Sequence, residues 1–323
     1  MTPPSVPPEP EGEPSRTADG ERDTPLPPAI PEQPSAERAR RGRKAEPVSK
    51  DAGPCHRAWL GQVRSGVSSR GYTYDQLAGL TGYSKTSIST LLRGVEYYPS
   101  WEITYSVVHV LGLPVWPLRR LWTAGAREAD KPQAWIEERI HAVRPLVPEQ
   151  PPVAHQAFTE AMREPYAAYA RAFLHPQRAG RIVSETFDIL WLGWDDAVAS
   201  PNVRRHAWRL LRSRVLLRAL NHSDGRPDLR LAAFSTISQS RIKDPAARFA
   251  EISELAAFFD LLGTLPPDQL DIIVLRYLCG IKASKLSTVV GLSPARVHTL
   301  DHHARGALEQ LHLRHNNPGV ITP

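Results

Sequence analysis

At 323 residues, with 41% hydrophobic and 23% charged side chains, the chain has room for two or three modest domains built round apolar cores. Mean hydropathy is −0.36, and the longest apolar run, Val107 to Trp116, is cut by Gly112 and Pro114, which excludes a membrane span. The proline- and charge-rich start lacks the apolar segment of a secretory signal, so a cytoplasmic protein is expected. Cys55 and Cys279 form neither a CxxC motif nor a disulfide framework, which fits free thiols in a reducing compartment. A net charge of +6 and a pI near 9.4 suit a polyanionic partner, although a GC-rich coding sequence also raises arginine, alanine and proline.

In chain order, residues 1–53 are crowded with proline (Pro3, Pro4, Pro7, Pro8, Pro10) and short of large apolar side chains. Such a segment cannot bury enough surface to offset chain entropy, and disorder is expected. It ends in Arg38, Arg40, Arg41, Arg43 and Lys44, which read equally as an arm tracking a nucleic-acid backbone or as a solvated linker. From Trp59 apolar residues recur at helical spacing (Trp59, Val63, Val67), and short helices broken by Gly or Pro run to about residue 126. Pro132 and Pro145 to Pro152 mark a break. A second helical block covers about 153–220, and Asn221 to Pro227 reads as a turn around Asp224-Gly225. A third block starts near Phe249 and holds Leu262 to Leu313, before a loop tail. No stretch alternates as a strand would, so the expected fold is all-α and multi-domain.

Tyr72 to Gly94 reads as two helices joined by a tight turn. Thr73 with Gln76 three residues on forms a capping box, and Leu77 and Leu80 give the first helix its apolar side. Gly82 permits the left-handed turn, and Ser84 caps a second helix whose Ile88, Leu91 and Leu92 face inward. Lys85, Thr86, Ser87, Ser89 and Thr90 are left facing out, with Arg93 before the closing Gly94. Hydroxyls and amines on a short helix suit base edges and phosphates of a major groove; a plain helical core is the alternative. After Pro99, Ser100 caps a helix carrying Ile103, Val107, Val110 and Leu111. Five short helices with Leu77-Ala78, Gly82, Ser84, Ile88-Ser89, Leu91, Arg93-Gly94 and Pro99-Ser100 resemble the Cro/phage-repressor, or XRE, helix-turn-helix class. That resemblance implies operator DNA as partner and allows a homodimer. Tyr74 stands where the family usually has a phosphate-touching Gln, and Leu92 where it often has Glu.

Leu262 to Leu311 holds a second unit. Pro266-Pro267-Asp268 opens an apolar helix (Ile272, Ile273, Leu275, Tyr277), Gly280 stops it, and Ser284 to Val290 is a short helix. Gly291 turns the chain, Ser293 caps and Pro294 starts the last helix, with Val297, Leu300 and Ala304 inward. Arg296, His298, Thr299, His302 and Arg305 face out. Leu262, Leu265-Pro266, Gln269, Leu275-Arg276, Gly280-Ile281, Leu286, Gly291-Leu292-Ser293, Val297 and Ala304-Arg305 resemble region 4 of bacterial sigma factors, especially of the extracytoplasmic-function type. The family reads the −35 element with this module and touches RNA polymerase. Tyr166, Tyr169, Ala179, Ile182-Val183, Glu185, Phe187 and Trp191 resemble its region 2. The basic helix Val203 to Leu220 follows, with Arg205, Arg209 and Arg212 on one face and Trp208 beside them. That face suits phosphate tracking and base stacking, or is a solvated face. Gly180-Arg181 and Ser184 stand where sigma factors carry Glu-Asp and Gln, which reverses the charge of the polymerase-docking surface.

No GxSxG, HExxH or phosphate-cradling loop occurs, and His298 and His302 lack further ligands for a metal site, so no cofactor, metal or enzyme activity is expected. Asp195-Asp196 reads as a helix end or loop start. The expected organisation is a disordered tail (1–53), an XRE-type domain (54–128), a linker (129–152), a region 2-like domain (153–222), linker helices (223–261), a region 4-like domain (262–315) and a tail (316–323). The expected function is a promoter-binding regulator in the cytoplasm, on the nucleoid. A working sigma factor recruiting core RNA polymerase, or a protein-interaction scaffold, are the alternatives.

Overall fold

The computed structural model describes residues 48, 52–94, 97–143, 149–229 and 255–316, all within the larger of two contact units, Glu46–Pro323. The expectations for residues 1–47, 230–254 and 317–323 fall outside the described residues. The fold is all-α: among the described residues the only extended pairing is a bridge between Asn221 and Pro227, closing the turn expected at Asp224-Gly225.

The first block forms α1 (Pro54–Arg70), α2 (Tyr74–Thr81), α3 (Lys85–Arg93), α4 (Trp101–Val110) and α5 (Val115–Glu128). Local chemistry accounts for the boundaries. The Thr73 hydroxyl accepts from the Gln76 amide at 3.2 Å while the Thr73 amide donates to Gln76 Oε1 at 2.9 Å, a closed capping box. Gly82 holds φ at 75°, which side chains other than glycine rarely adopt, and Ser84 Oγ accepts from the Ser87 amide at 3.1 Å. Ser100 stands at the N-cap of α4 without a side-chain cap bond; its carbonyl accepts from Thr104 Oγ1 at 2.8 Å. Leu80, expected on the apolar side of α2, is exposed.

The segment expected as a linker contains a helix, α6 (Gln133–His141), with Pro132 at its N-cap. Ile136 is buried, and the Trp135 ring stacks on Trp122 with centroids 5.8 Å apart. Then follow α7 (Val153–Phe173), α8 (Pro176–Leu192), α9 (Trp194–Ala199) and α10 (Val203–Leu216). Asp195 and Asp196 lie in the first turn of α9, where the helix dipole favours carboxylates. Residues 255–262 are helical. They precede α11 (Pro267–Ile273), which runs into a π-helical turn at Val274–Leu278, and then α12 (Ala283–Val290) and α13 (Pro294–Asn316).

Buried apolar side chains among the described residues form two cores. The first gathers Trp59, Leu60, Leu77, Ile88, Leu91, Trp101, Val107 and Trp122 from the first block, with Ile136 of α6 and Ile189 and Leu192 of α8. The second joins Tyr166, Tyr169, Phe173, Phe187 and Trp208 to Leu262, Leu270, Ile273, Leu286, Val297 and Leu300. The middle and last blocks therefore share one interior. The two cysteines are free, and burial pushes both thiols up.

His56 lies in the first core, its ring stacked on Trp59 at 5.1 Å, with Nε2 unpartnered. Burial lowers its pKa from 6.5 to about 4, against the pull of Glu128. The folded chain thus resists protonation that the unfolded chain accepts. Stability from this group is full above about pH 6.5 and falls as pH drops towards about 4, by about 3 kcal/mol in all. Chemical denaturation at neutral and acid pH is expected to record this loss, and His56→Phe is expected to flatten it.

Candidate nucleic-acid interface

The α2–α3 pair is held from behind by its apolar residues, which seat α3 against α1 and α2. Lys85 and Thr86 are exposed at its start, Ser87 and Ser89 are half-buried and Arg93 is exposed in the last turn. Thr90 does not face out. Contact with two neighbouring helices widens the buried arc of α3 beyond Ile88, Leu91 and Leu92, and Thr90 falls inside it at 9% exposure. The Lys85 ammonium is also engaged, 2.8 Å from the Asp75 carboxylate on α2.

On α13, Arg296, His298, Thr299, His302 and Arg305 are all exposed, as the spacing predicts. Thr299 Oγ1 donates to the Ala295 carbonyl at 3.0 Å. Asp301, which would repel phosphate if it pointed outward, is turned inward and pairs with Arg276 of the π turn, and Arg305 Nε lies 3.4 Å from the same carboxylate. Among the described residues no group of three or more metal-capable side chains forms.

The arginine helix departs most from expectation. Trp208 is fully buried, edge-on to Tyr166 and Tyr169 with centroids 5.9 and 4.7 Å away, so it cannot stack on a base. Arg205 Nη2 donates to Asp268 at 3.0 Å, and Arg212 Nε donates to Asp271 at 2.7 Å. Asp271 sits 1% exposed and also accepts from Tyr169 Oη at 2.8 Å and Trp208 Nε1 at 3.3 Å. Burial pushes this carboxyl up, and the Arg212 guanidinium with the two neutral donors pulls it back. Farther along, Arg214 and Arg218 both donate to Glu185 of α8, at 2.9 and 3.1 Å. Arg214 also donates to the Pro54 carbonyl at 3.0 Å, and Arg218 to Glu128 at 3.1 Å. Of the four α10 side chains expected at DNA, Arg209 alone is exposed. The physical reason is that α10 is packed against α7, α8, α9 and α12, and two carboxylates of α11, Asp268 and Asp271, take up the charge of Arg205 and Arg212.

A groove of about 730 Å³ between α5, α7 and α8 is lined by Arg120, His155, Arg163, Phe187, Asp188 and Trp191 among others. Asp188, its buried carboxylate, is taken by Arg120, whose Nε donates to Oδ2 at 2.9 Å. Phe187, Trp191 and Trp194 are all buried, and the first two also line this groove.

Asp271→Ala is expected to cost about 3 kcal/mol in chemical denaturation, because it strands the Arg212, Tyr169 and Trp208 donors. Arg209→Ala is expected to stay within about 0.5 kcal/mol. Equal effects would contradict an internal assignment for the stripe.

Compared with known proteins, the chain matches no family model, no curated protein and no solved structure.

Proposed function

We propose that this protein is a DNA-binding transcription regulator of the cytoplasm, working on the nucleoid, in which α3 and α13 each enter a major groove. One repeated geometry carries the reading. Each unit is an eight-residue helix, a left-handed glycine, one further residue and a serine whose hydroxyl accepts from the backbone of the next helix. In α2–α3 these are Gly82 and Ser84; in α12–α13 they are Gly291 and Ser293. In both, the second helix keeps its apolar side in a core and leaves hydroxyl, imidazole and basic side chains outside. Donors of this kind on a rigid helix meet base edges and phosphates.

A working sigma factor is the second reading, since it shares the DNA contacts and adds core RNA polymerase as a partner. The exposed face of α8 disfavours it: Gln177, Arg178, Gly180, Arg181 and Ser184 present no carboxylate. A scaffold that binds other regulators would use the same face. Capture of genomic fragments by the purified chain, paired with a pull-down of core RNA polymerase, separates the three. DNA without polymerase supports the regulator. Stoichiometric polymerase with promoter-dependent initiation supports the sigma factor. Neither, with a protein partner retained, supports the scaffold.

Lys85→Ala and Arg296→Ala are each expected to weaken binding to a captured fragment and to lower the slope of log affinity against log salt by about one. Asp75→Asn frees Lys85 and is expected to strengthen binding. Unchanged titrations for all three variants would sink the two-reader model.

A further inference from the structure

α3 and α13 are separated by most of the chain, and among the described residues two packed joints connect them. The first joint fixes the block that carries α3 to the α7–α10 bundle. Arg214 of α10 holds the Pro54 carbonyl at 3.0 Å and Arg218, in the turn just past α10, holds Glu128 at 3.1 Å, so both clasp the same end of the α1/α5 pair, where the Cys55 amide also donates to Glu128. Arg120 of α5 pairs with Asp188 of α8, and Ile189 and Leu192 of α8 enter the first core. The second joint fixes the unit that carries α13. Arg205 and Arg212 hold Asp268 and Asp271 at 3.0 and 2.7 Å, and Asn202 Nδ2 donates to the Gly291 carbonyl at 3.3 Å. The helix-turn-helix turn itself is seated on α10: a Cβ at Gly291 would stand 2.2 Å from the Arg205 amide nitrogen, so no side chain fits. Asp301 then ties α13 to Arg276.

We propose that α3 and α13 are two parts of one rigid reader, which takes a single DNA duplex carrying two unlike half-sites at one fixed separation and helical phase. The proposal rests on the DNA-binding reading above and deepens it. Two readers on a flexible linker raise each other's effective concentration over a range of spacings. Two readers on a rigid body do so at one spacing only, because duplex half-sites rotate with a repeat of about 10.5 bp. Because the two readers differ in sequence and sit on one chain, the site is asymmetric and needs no second copy.

The joint is tested without DNA and the site with it, both on the full chain. Spin labels at Ser87→Cys and Thr299→Cys, in a Cys279→Ser background, report the distance between the two helices by double electron–electron resonance. A single narrow peak is expected, and a broad distribution overturns the proposal. Gly291→Ala, or the milder Asp268→Asn should the first not fold, is expected to broaden that peak; a peak unmoved by either overturns it. In DNA selection with the unsubstituted chain, the recovered sites are expected to share one separation. Insertion of about 5 or about 10 bp between the half-sites is expected to reduce affinity at least about tenfold, to that of the stronger half-site alone. Affinity retained with the longer insertion overturns the proposal. A narrow peak with no DNA bound would remove the DNA reading, and the composite site with it, while leaving the rigid joint in place.

Discussion

Guanidinium–carboxylate pairing along α10 is the constraint on which the arrangement depends. An arginine cannot shed its charge when buried, so each one drawn into the interior requires a carboxylate at a defined place. Glu185 meets Arg214 of the helix and Arg218 just past its end, and Asp268 and Asp271 meet Arg205 and Arg212 on another side. Those partners fix the rotation of α10 about its axis, and with it where α1, α5, α11 and α12 can dock. Such pairs add little net stability over well-packed apolar groups, since desolvation offsets most of the Coulomb gain. Their effect is on geometry: an alternative docking would leave a charge unmatched. Arg214 Nε and Arg218 Nη1 make no hydrogen bond to a protein group even so.

The two outer faces of α3 and α13 carry few unengaged cations. Lys85 is held by Asp75 and Arg305 lies close to Asp301, while hydroxyls and imidazoles make up much of the rest. Faces of this kind contribute less to sequence-independent attraction than a basic stripe would, and more to discrimination by hydrogen bonding. The chain's net charge of +6 is therefore a poor guide to where a polyanion would sit, because much of its arginine is spent internally.

Local features were legible in the sequence. The capping box at Thr73 and Gln76, the turn at Gly82, the Ser84 cap and the inward set Ile88, Leu91 and Leu92 depend on residues within a few positions of one another. The outer face of α13 was legible for the same reason. Two things were not. α6 was hidden because Pro132 and the Pro145–Pro152 stretch speak for a break, although Trp135, Ile136 and Ile140 between them carry helical spacing. The pairing of Arg205 and Arg212 and the burial of Trp208 were hidden because a helix's own sequence says which residues share a face, not which neighbour covers it. The partners of Arg205 and Arg212 lie 63 and 59 positions away. One signal was present: Asp271 interrupts an otherwise apolar run from Leu270 to Leu275, and a carboxylate so placed must find a cation. Thr90 fell to the same blindness, on a smaller scale.

α8 has every residue from Glu185 to Leu192 buried, with Ile189 and Leu192 in the first core and Phe187 and Leu190 in the second. A helix stretch shared between two cores belongs to no single layer. Melting either core strips one flank of the same helix and strands the polar groups, Glu185 and Asp188, that its other neighbours hold. The two cores are thus coupled through α8, and heat is expected to release them in one transition whose calorimetric and van't Hoff enthalpies agree. A chain that reads as several modules would lose its structure as one.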